Sequence, residues 1–373
     1  MRRVLYFNYQ PIHTCPPCLA EVCTLADMGI EVTVLTTGCN EPTAKLLESK
    51  GVTCHFFRQI HFPVMLIQRA VNAVNYFCVF HRWFRKYWTD HAAIWTGTEE
   101  SLLKMWRFLR NHRPIIANAL EFYEDDHYQT SMKRIATQAD ILTACEPHRA
   151  QFMADWWGLE KVPYVLRNKP YGWIPPKGDG STPELKAGID LMRGKKVVLY
   201  QGSIESDRDL SHLARALNRA DSDYYLVLSG LDKQNSVEAL KKIYPRVIYL
   251  GNYPAPTHLE ITPYATCAVA FYKDNCINNR YCAPNKIYEY AGCGVPMLCN
   301  PIPGLTETVG KAGAGECVDF TDPDAVIAAL ERIHANYDAY HRAALEFYRQ
   351  TDNAPVMKQI VEDAFSRTKA AKE

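Results

Sequence analysis

No run of about eighteen uninterrupted apolar residues occurs in the chain, so the sequence predicts no helix that crosses a bilayer. The start, Met1-Arg2-Arg3-Val4-Leu5-Tyr6-Phe7-Asn8, is basic, but its apolar run is too short for a secretory signal. Charge excess is missing too. Lys and Arg number 42 against 41 Asp and Glu in 373 residues, so no whole-molecule field draws the protein onto nucleic acid. A disulfide framework is also absent: the 13 cysteines are odd in number and scattered. Cys54, Cys145, Cys267 and Cys299 sit inside apolar strand patterns, which reads as buried free thiols in a reducing, cytoplasmic compartment. The turn after the first strand has no G-x-G-x-x-G, which argues against a nicotinamide or flavin dinucleotide. One segment lacks negative charge altogether: residues 49–89 hold Lys50, Arg58, Arg69, Arg82, Arg85 and Lys86 but no Asp or Glu.

What is present is alternation. A chain of 373 residues suits two domains. Residues 3–9 are a short apolar run, residues 20–27 a helical pattern stopped at Gly29, and residues 31–37 a β-branched strand. Strand, helix, glycine and strand at that spacing is a βαβ unit, hence a parallel sheet with right-handed crossovers. Strands at 92–96, 114–120 and 140–145, with helices between, continue the pattern as a doubly wound α/β domain. Cys15-Pro16-Pro17-Cys18 falls in the loop after the first strand. Zinc would need a second ligand pair and only His13 is near; a redox pair at a helix N-terminus and a rigid loop shaping a cleft are the other readings. The acid-free segment interleaves its cations with Phe56, Phe57, Phe62, Tyr76, Phe77, Phe80 and the HRWFRKYW end. That composition fits either a helix in a membrane interface or a core helix with a solvated basic end.

Residues 171–183 are rich in Pro and Gly with Ser181-Thr182, which is linker composition, and a fresh alternation starts at Lys195. Its first strand (196–201) runs into Gly202-Ser203, whose backbone amides are expected to be free, with Arg208 just beyond. The stretch 283–320 carries the strongest signal. Pro284 opens a helix, so the amides of Asn285, Lys286 and Ile287 and the Lys286 ammonium form an anion site. Glu289, one turn further in, suits the hydroxyls of a sugar rather than a phosphate. Phosphate and ribose together suggest a nucleotide.

Asn285-Lys286-x-Tyr288-Glu289-Tyr290, Gly294-Val295-Pro296 and Gly304-Leu305-x-Glu307 together resemble the donor-site signature of GT-B glycosyltransferases, closest to the retaining enzymes of bacterial surface polysaccharide synthesis. The resemblance implies two Rossmann-like domains facing across a cleft. Residues 1–172 would be the acceptor-side domain, 173–194 the linker, 195–345 the donor domain, and 346–373 a C-terminal helix packing back on the first domain. It implies a nucleoside diphosphate sugar as co-substrate, no metal requirement, and a glycan or lipid-linked hydroxyl acceptor. It gives Glu289 the donor ribose, Gly202, Ser203, Arg208 and Lys286 the diphosphate, and Asn252 and Tyr253 the base. Glu121 falls where the family often has a catalytic-site histidine, with Glu124, Asp125 and Asp126 close behind, and a carboxylate there suits the acceptor hydroxyl. The family glutamate that grips the donor sugar is replaced by Tyr281, which leaves the sugar open. The expected protein is a peripheral enzyme of the cytoplasmic membrane face, with contact through 49–89. Rival readings are a non-hydrolysing sugar-nucleotide epimerase of the same fold and a non-catalytic module.

Overall fold

Short β-branched runs punctuated by Gly and Pro become parallel strands, and each crossover is a helix that lays its apolar stripe on the sheet. The computed structural model describes residues 2–370 except 58–59, 90–91, 173, 176, 206–207 and 221. It divides into two units, residues 1–171 with 353–373, and residues 172–352.

The first unit runs β1 (Arg3–Asn8), α1 (Pro16–Asp27), β2 (Glu31–Thr36), α2 (Glu41–Ser49), β3 (Thr53–Phe56), α3 (Met65–Tyr87), β4 (Ala92–Thr96), α4 (Glu99–Leu109), β5 (Ile115–Ala119), α5 (Asp126–Ala136), β6 (Ile141–Ala144), α6 (Pro147–Trp157) and β7 (Tyr164–Val165). Among the described residues the sheet order is β3-β2-β1-β4-β5-β6-β7, with every pairing parallel. The second unit runs α7 (Pro183–Met192), β8 (Lys196–Gln201), α8 (Ser211–Arg219), β9 (Tyr224–Ser229), α9 (Ser236–Ile243), β10 (Val247–Tyr249), β11 (Cys267–Ala270), α10 (Ile277–Arg280), α11 (Asn285–Gly292), β12 (Met297–Cys299), α12 (Pro303–Leu305), β13 (Gly315–Cys317), α13 (Pro323–Ala335) and α14 (Tyr337–Gln350). Its order, β10-β9-β8-β11-β12-β13, is again all parallel. Both sheets reverse direction of strand order beside their first strand, the place where open α/β sheets bind ligands.

The chain then returns to the first unit as α15 (Ala354–Ala370). Met357, Ile360, Val361 and Ala364 are buried with Val4, Val32 and Ile116 in one core. Asn353 fixes the re-entry point: its Oδ1 accepts from the Arg167 amide at 2.9 Å and its Nδ2 donates to the Arg167 carbonyl at 2.7 Å. The crossing therefore comes later than residue 346, because α14 packs on α11 within the second unit. The expected linker over 173–194 is also shorter in fact. Thr182 caps α7 by accepting from the Leu185 amide, and Leu185, Ile189 and Met192 enter the second core. The Pro-Gly composition ends at that cap.

The acid-free segment resolves into a core helix with two different ends. Tyr76, Phe80, Trp83 and Phe84 of α3 are buried, so of the HRWFRKYW aromatics Trp83 and Phe84 point inward, while Tyr87 and Trp88 are half-buried. Arg82, Arg85 and Lys86 remain exposed. The exposed apolar residues lie at the other end: Val64, Met65, Leu66 (77 % exposed) and Ile67, with Phe62 and Phe77. Arg58 lies outside the described residues. No helix among the described residues is long and apolar enough to cross a membrane.

Candidate active site

At the reversal point between β8 and β11 the second unit gathers two cations around aromatic rings. The Arg208 guanidinium lies 3.9 Å from the Tyr272 ring centroid. The Lys286 ammonium lies 4.2 Å from the Tyr200 centroid and 5.8 Å from that of Tyr272. Tyr272 is held by β12: its amide donates to Asn300 Oδ1 at 3.1 Å, and Asn300 Nδ2 donates to its carbonyl at 2.8 Å. Burial, reinforced by the Arg208 charge, brings Lys286 down to about 7, with Glu289 and Cys282 opposing. Two cations kept together and partly out of water make a site that an anion relieves.

The backbone contributes on both sides. Helix α11 starts after Pro284, whose side chain makes no cap hydrogen bond, and Lys286 stands in its first turn, where leading amides and the helix dipole favour an anion. Ile287 contributes only that backbone, since its side chain is in the core. Gly202 departs from expectation. Its amide is not free but donates to the Ser229 carbonyl at 2.9 Å, because β8 stays paired to β9 one residue longer. Space is its contribution: at φ +131° a Cβ there would stand 3.1 Å from the Lys286 Nζ. Behind it, a Cβ on Gly230 would fall 1.8 Å from the Gly202 carbonyl oxygen, so two strand turns meet at a distance only glycine permits. Ser203 follows, and its carbonyl accepts from the Tyr200 hydroxyl at 2.8 Å.

Glu289 has a neighbour that the sequence did not announce. His258 Nε2 lies 3.7 Å from Glu289 Oε1, and His258 Nδ1 is buried without a hydrogen-bond partner. The His258 carbonyl accepts from Gln201 Nε2 at 2.7 Å, tying the 257–264 segment to the end of β8. Asn252 is exposed. Tyr253 is fixed by donating to the Glu184 carbonyl at 3.1 Å, and its hydroxyl lies where a Cβ on Gly188 would come within 2.5 Å. The polar loop before α11 bonds within itself, Arg280 to Asp274 at 2.7 Å and Asn279 to Asn275 at 2.7 Å. Tyr281 closes α10, and the Cys282 backbone is packed on Gly304, where a Cβ would approach it to 2.5 Å.

Residues 195–336, most of the second unit, match the family model described as glycosyl transferases group 1. That stretch is similar to the group 1 glycosyl transferases. Solved structures extend the likeness over the whole chain. HepE of Anabaena in complex with UDP and glucose superposes with a TM-score of 0.69 at 15 % identity, covering 98 % of this chain and 100 % of its own. A glycosyltransferase of Rickettsia africae gives 0.69 at 13 %, covering 98 % of each chain. Sucrose-phosphate synthase of Thermosynechococcus elongatus gives 0.67 at 17 %, covering 100 % of each. At such identities the likeness establishes the fold, which is GT-B. No curated protein sequence matches the chain closely enough to be called a relative.

In the first unit of this GT-B protein, Glu121 stands just past β5 with its side chain 42 % exposed and Oε2 3.4 Å from the buried Arg149 Nη1. Arg149 also donates to the Leu120 carbonyl at 2.8 Å. Asp125, from the acidic run behind it, caps α5 through the Tyr128 amide at 2.9 Å and is structural. Glu99, the first residue of α4, is a second carboxylate at this edge. Its Oε2 accepts from the Leu120 amide at 3.1 Å, and burial, with a smaller push from Glu121, raises it to about 7. Two carboxyl groups with different environments thus share the carboxyl ends of β4 and β5. Only the fold could reveal this, since 21 residues separate Glu99 from Leu120.

Proposed function

We propose that the protein transfers a sugar from a nucleoside diphosphate sugar to a hydroxyl of a lipid-linked glycan or polysaccharide precursor, with retention at the anomeric carbon. The observation that carries this reading is the pair Arg208 and Lys286 over Tyr272, with Lys286 in the first turn of α11. When the bond from the anomeric carbon to the diphosphate oxygen breaks, negative charge grows on the leaving diphosphate. Preorganised cations and amides stabilise that charge most when it is fullest, so they lower the barrier rather than merely bind substrate. They supply the charge that a divalent metal supplies in other sites, so transfer should persist with the metal chelated. Glu289 accepts hydrogen bonds from the donor's ribose, and Ser203 and Asn285 line the phosphate. Glu121 receives the acceptor hydroxyl, with Glu99 behind it. UDP is the first nucleotide to test, since HepE was solved with UDP and with UDP-glucose.

The lipid-linked acceptor and a place on the cytoplasmic membrane face rest on α3. A groove of about 530 Å³ beside it is lined by Tyr9, Arg69, Asn72, Tyr76, Lys104 and Met105. Apolar Val64–Ile67 and the exposed Arg82 and Arg85 flank it on the same helix region. Apolar side chains for the acyl boundary and cations for anionic head groups are what an interfacial helix needs. Titration calorimetry with UDP, GDP and ADP, followed by product analysis with each nucleotide sugar, tests the function. Binding of one nucleotide, lost in Lys286→Ala, is expected. Epimerised donor formed with no acceptor present would replace transfer by isomerisation, and no binding of any nucleotide would remove the donor site.

A further inference from the structure

The Cys15-Pro16-Pro17-Cys18 turn has no part in the donor site, yet it is built as closely as that site. Cys15 is the N-cap of α1 and Cys18 its third residue, with the two prolines as the first two helical positions. The Cys15 and Cys18 sulfurs are 2.8 Å apart. Each proline fixes its own φ, so little backbone freedom remains to separate the thiols. Their exposures differ in a useful way, 8 % for Cys15 and 0 % for Cys18. Cys18 packs against the loop after β4: its Sγ donates to the Gly97 carbonyl at 3.1 Å, and a Cβ on Gly97 would come within 2.9 Å of it. Burial pushes the Cys18 thiol well up, with Cys15 and Glu21 adding to the effect. Among the described residues no group of three or more His, Cys, Asp or Glu side chains is placed to hold a metal ion. The dithiol therefore lacks the further ligands of a zinc site.

We propose that Cys15 and Cys18 are a redox-active pair that closes to a disulfide by exchange with a small disulfide oxidant such as oxidised glutathione. The more accessible Cys15, as its thiolate, attacks one sulfur of the oxidant. That forms a mixed disulfide and releases one thiolate, which takes up the Cys15 proton. Cys18 then attacks the Cys15 sulfur, its proton leaves with the second thiol, and the Cys15–Cys18 bond forms. Two cysteine thiols are oxidised by two electrons and one oxidant disulfide is reduced to two thiols. Closure removes the Cys18 S–H that donates to Gly97, one residue before the N-cap of α4. The redox state is thereby coupled to the loop that leads into Glu99.

The test is differential alkylation of the full chain equilibrated in glutathione mixtures, quenched in acid and read by peptide mass spectrometry. Alkylation at Cys15 and Cys18 should fall together by about tenfold or more in the oxidising mixtures, with the loss of two hydrogens. Cys23 and Cys39 on the same tryptic peptide should stay alkylated. Cys18→Ser should trap a glutathione adduct on Cys15, Cys15→Ser should leave Cys18 fully alkylated, and Cys23→Ser should behave as wild type. Full alkylation of both cysteines in every mixture overturns the proposal. So does a lasting glutathione adduct on wild-type Cys15.

Discussion

Lys286 is poised to take up a proton when an anion arrives. Its folded value, about 7, is far below the ordinary 10.5, so folding disfavours the charged form. That cost is fully present below pH 7 and fades as pH rises toward the unfolded value. A bound diphosphate favours the ammonium instead, so above pH 7 binding must draw in a proton. Nucleotide diphosphate affinity should therefore weaken by up to about tenfold per pH unit above 7. Calorimetry at pH 8 in buffers of different ionisation heat should register proton uptake. Lys286→Ala should lose both signals and lower kcat along with kcat/KM. Glu289→Ala should act mainly on binding, since a hydrogen bond to a charged group contributes about 1.5–3 kcal/mol. An unchanged Kd would remove Glu289 from the ribose. In the first unit, Glu121→Gln should keep donor binding and lose transfer. Equal loss in Glu99→Gln, with intact donor affinity, would mean that the two carboxyl groups act as one unit. Lys286, Arg208 and Glu289 were legible in the sequence because motif spacing ties them to one helix and one turn. Glu99, His258 and Tyr272 were not, because their partners come from distant strands.

Elements were legible where backbone chemistry is local and illegible where orientation decides. Pro284 announces a helix start from sequence, but nothing local says that the Gly202 amide is spent on β9. Gly230→Ala would drive a Cβ into the Gly202 carbonyl at φ +145°. Backbone strain at one residue costs on the order of 1–3 kcal/mol, and the overlap adds to it, so thermal unfolding should shift down and nucleotide affinity should fall with it. Helix α3 shows the opposite limit. Its composition left an interface helix and a core helix both open, and only packing shows that Trp83 and Phe84 face the core while Leu66 and Ile67 face out. Liposome co-sedimentation should accordingly respond more to Leu66→Asp with Ile67→Asp than to loss of the aromatic end. Arg82→Ala with Arg85→Ala should reduce binding only to anionic vesicles and only at low salt. Recovery of the wild-type chain in the supernatant with every vesicle would end the membrane proposal.

At the scale of the whole molecule, two parallel sheets could be read from strand–helix alternation, because periodicity reports burial directly. The late crossing at Asn353 could not, since α14 and α15 are both amphipathic and nothing local says which core each joins. Removing residues 354–373 should strip Met357, Ile360, Val361 and Ala364 from the first core. Each large apolar side chain contributes roughly 1.5–3 kcal/mol when buried, so the unfolding transition of the first unit should fall sharply. Nucleotide binding by the second unit should survive. The late crossing also sets an order of events during synthesis. One contiguous stretch, 172–352, supplies the whole second unit, whereas the first is split around it. A ribosome must therefore translate the entire second unit before the first receives its closing helix, so the later-made half can mature earlier. Until α15 emerges, the nascent first half presents an unfinished apolar face on its sheet, the state in which a holdase would engage it.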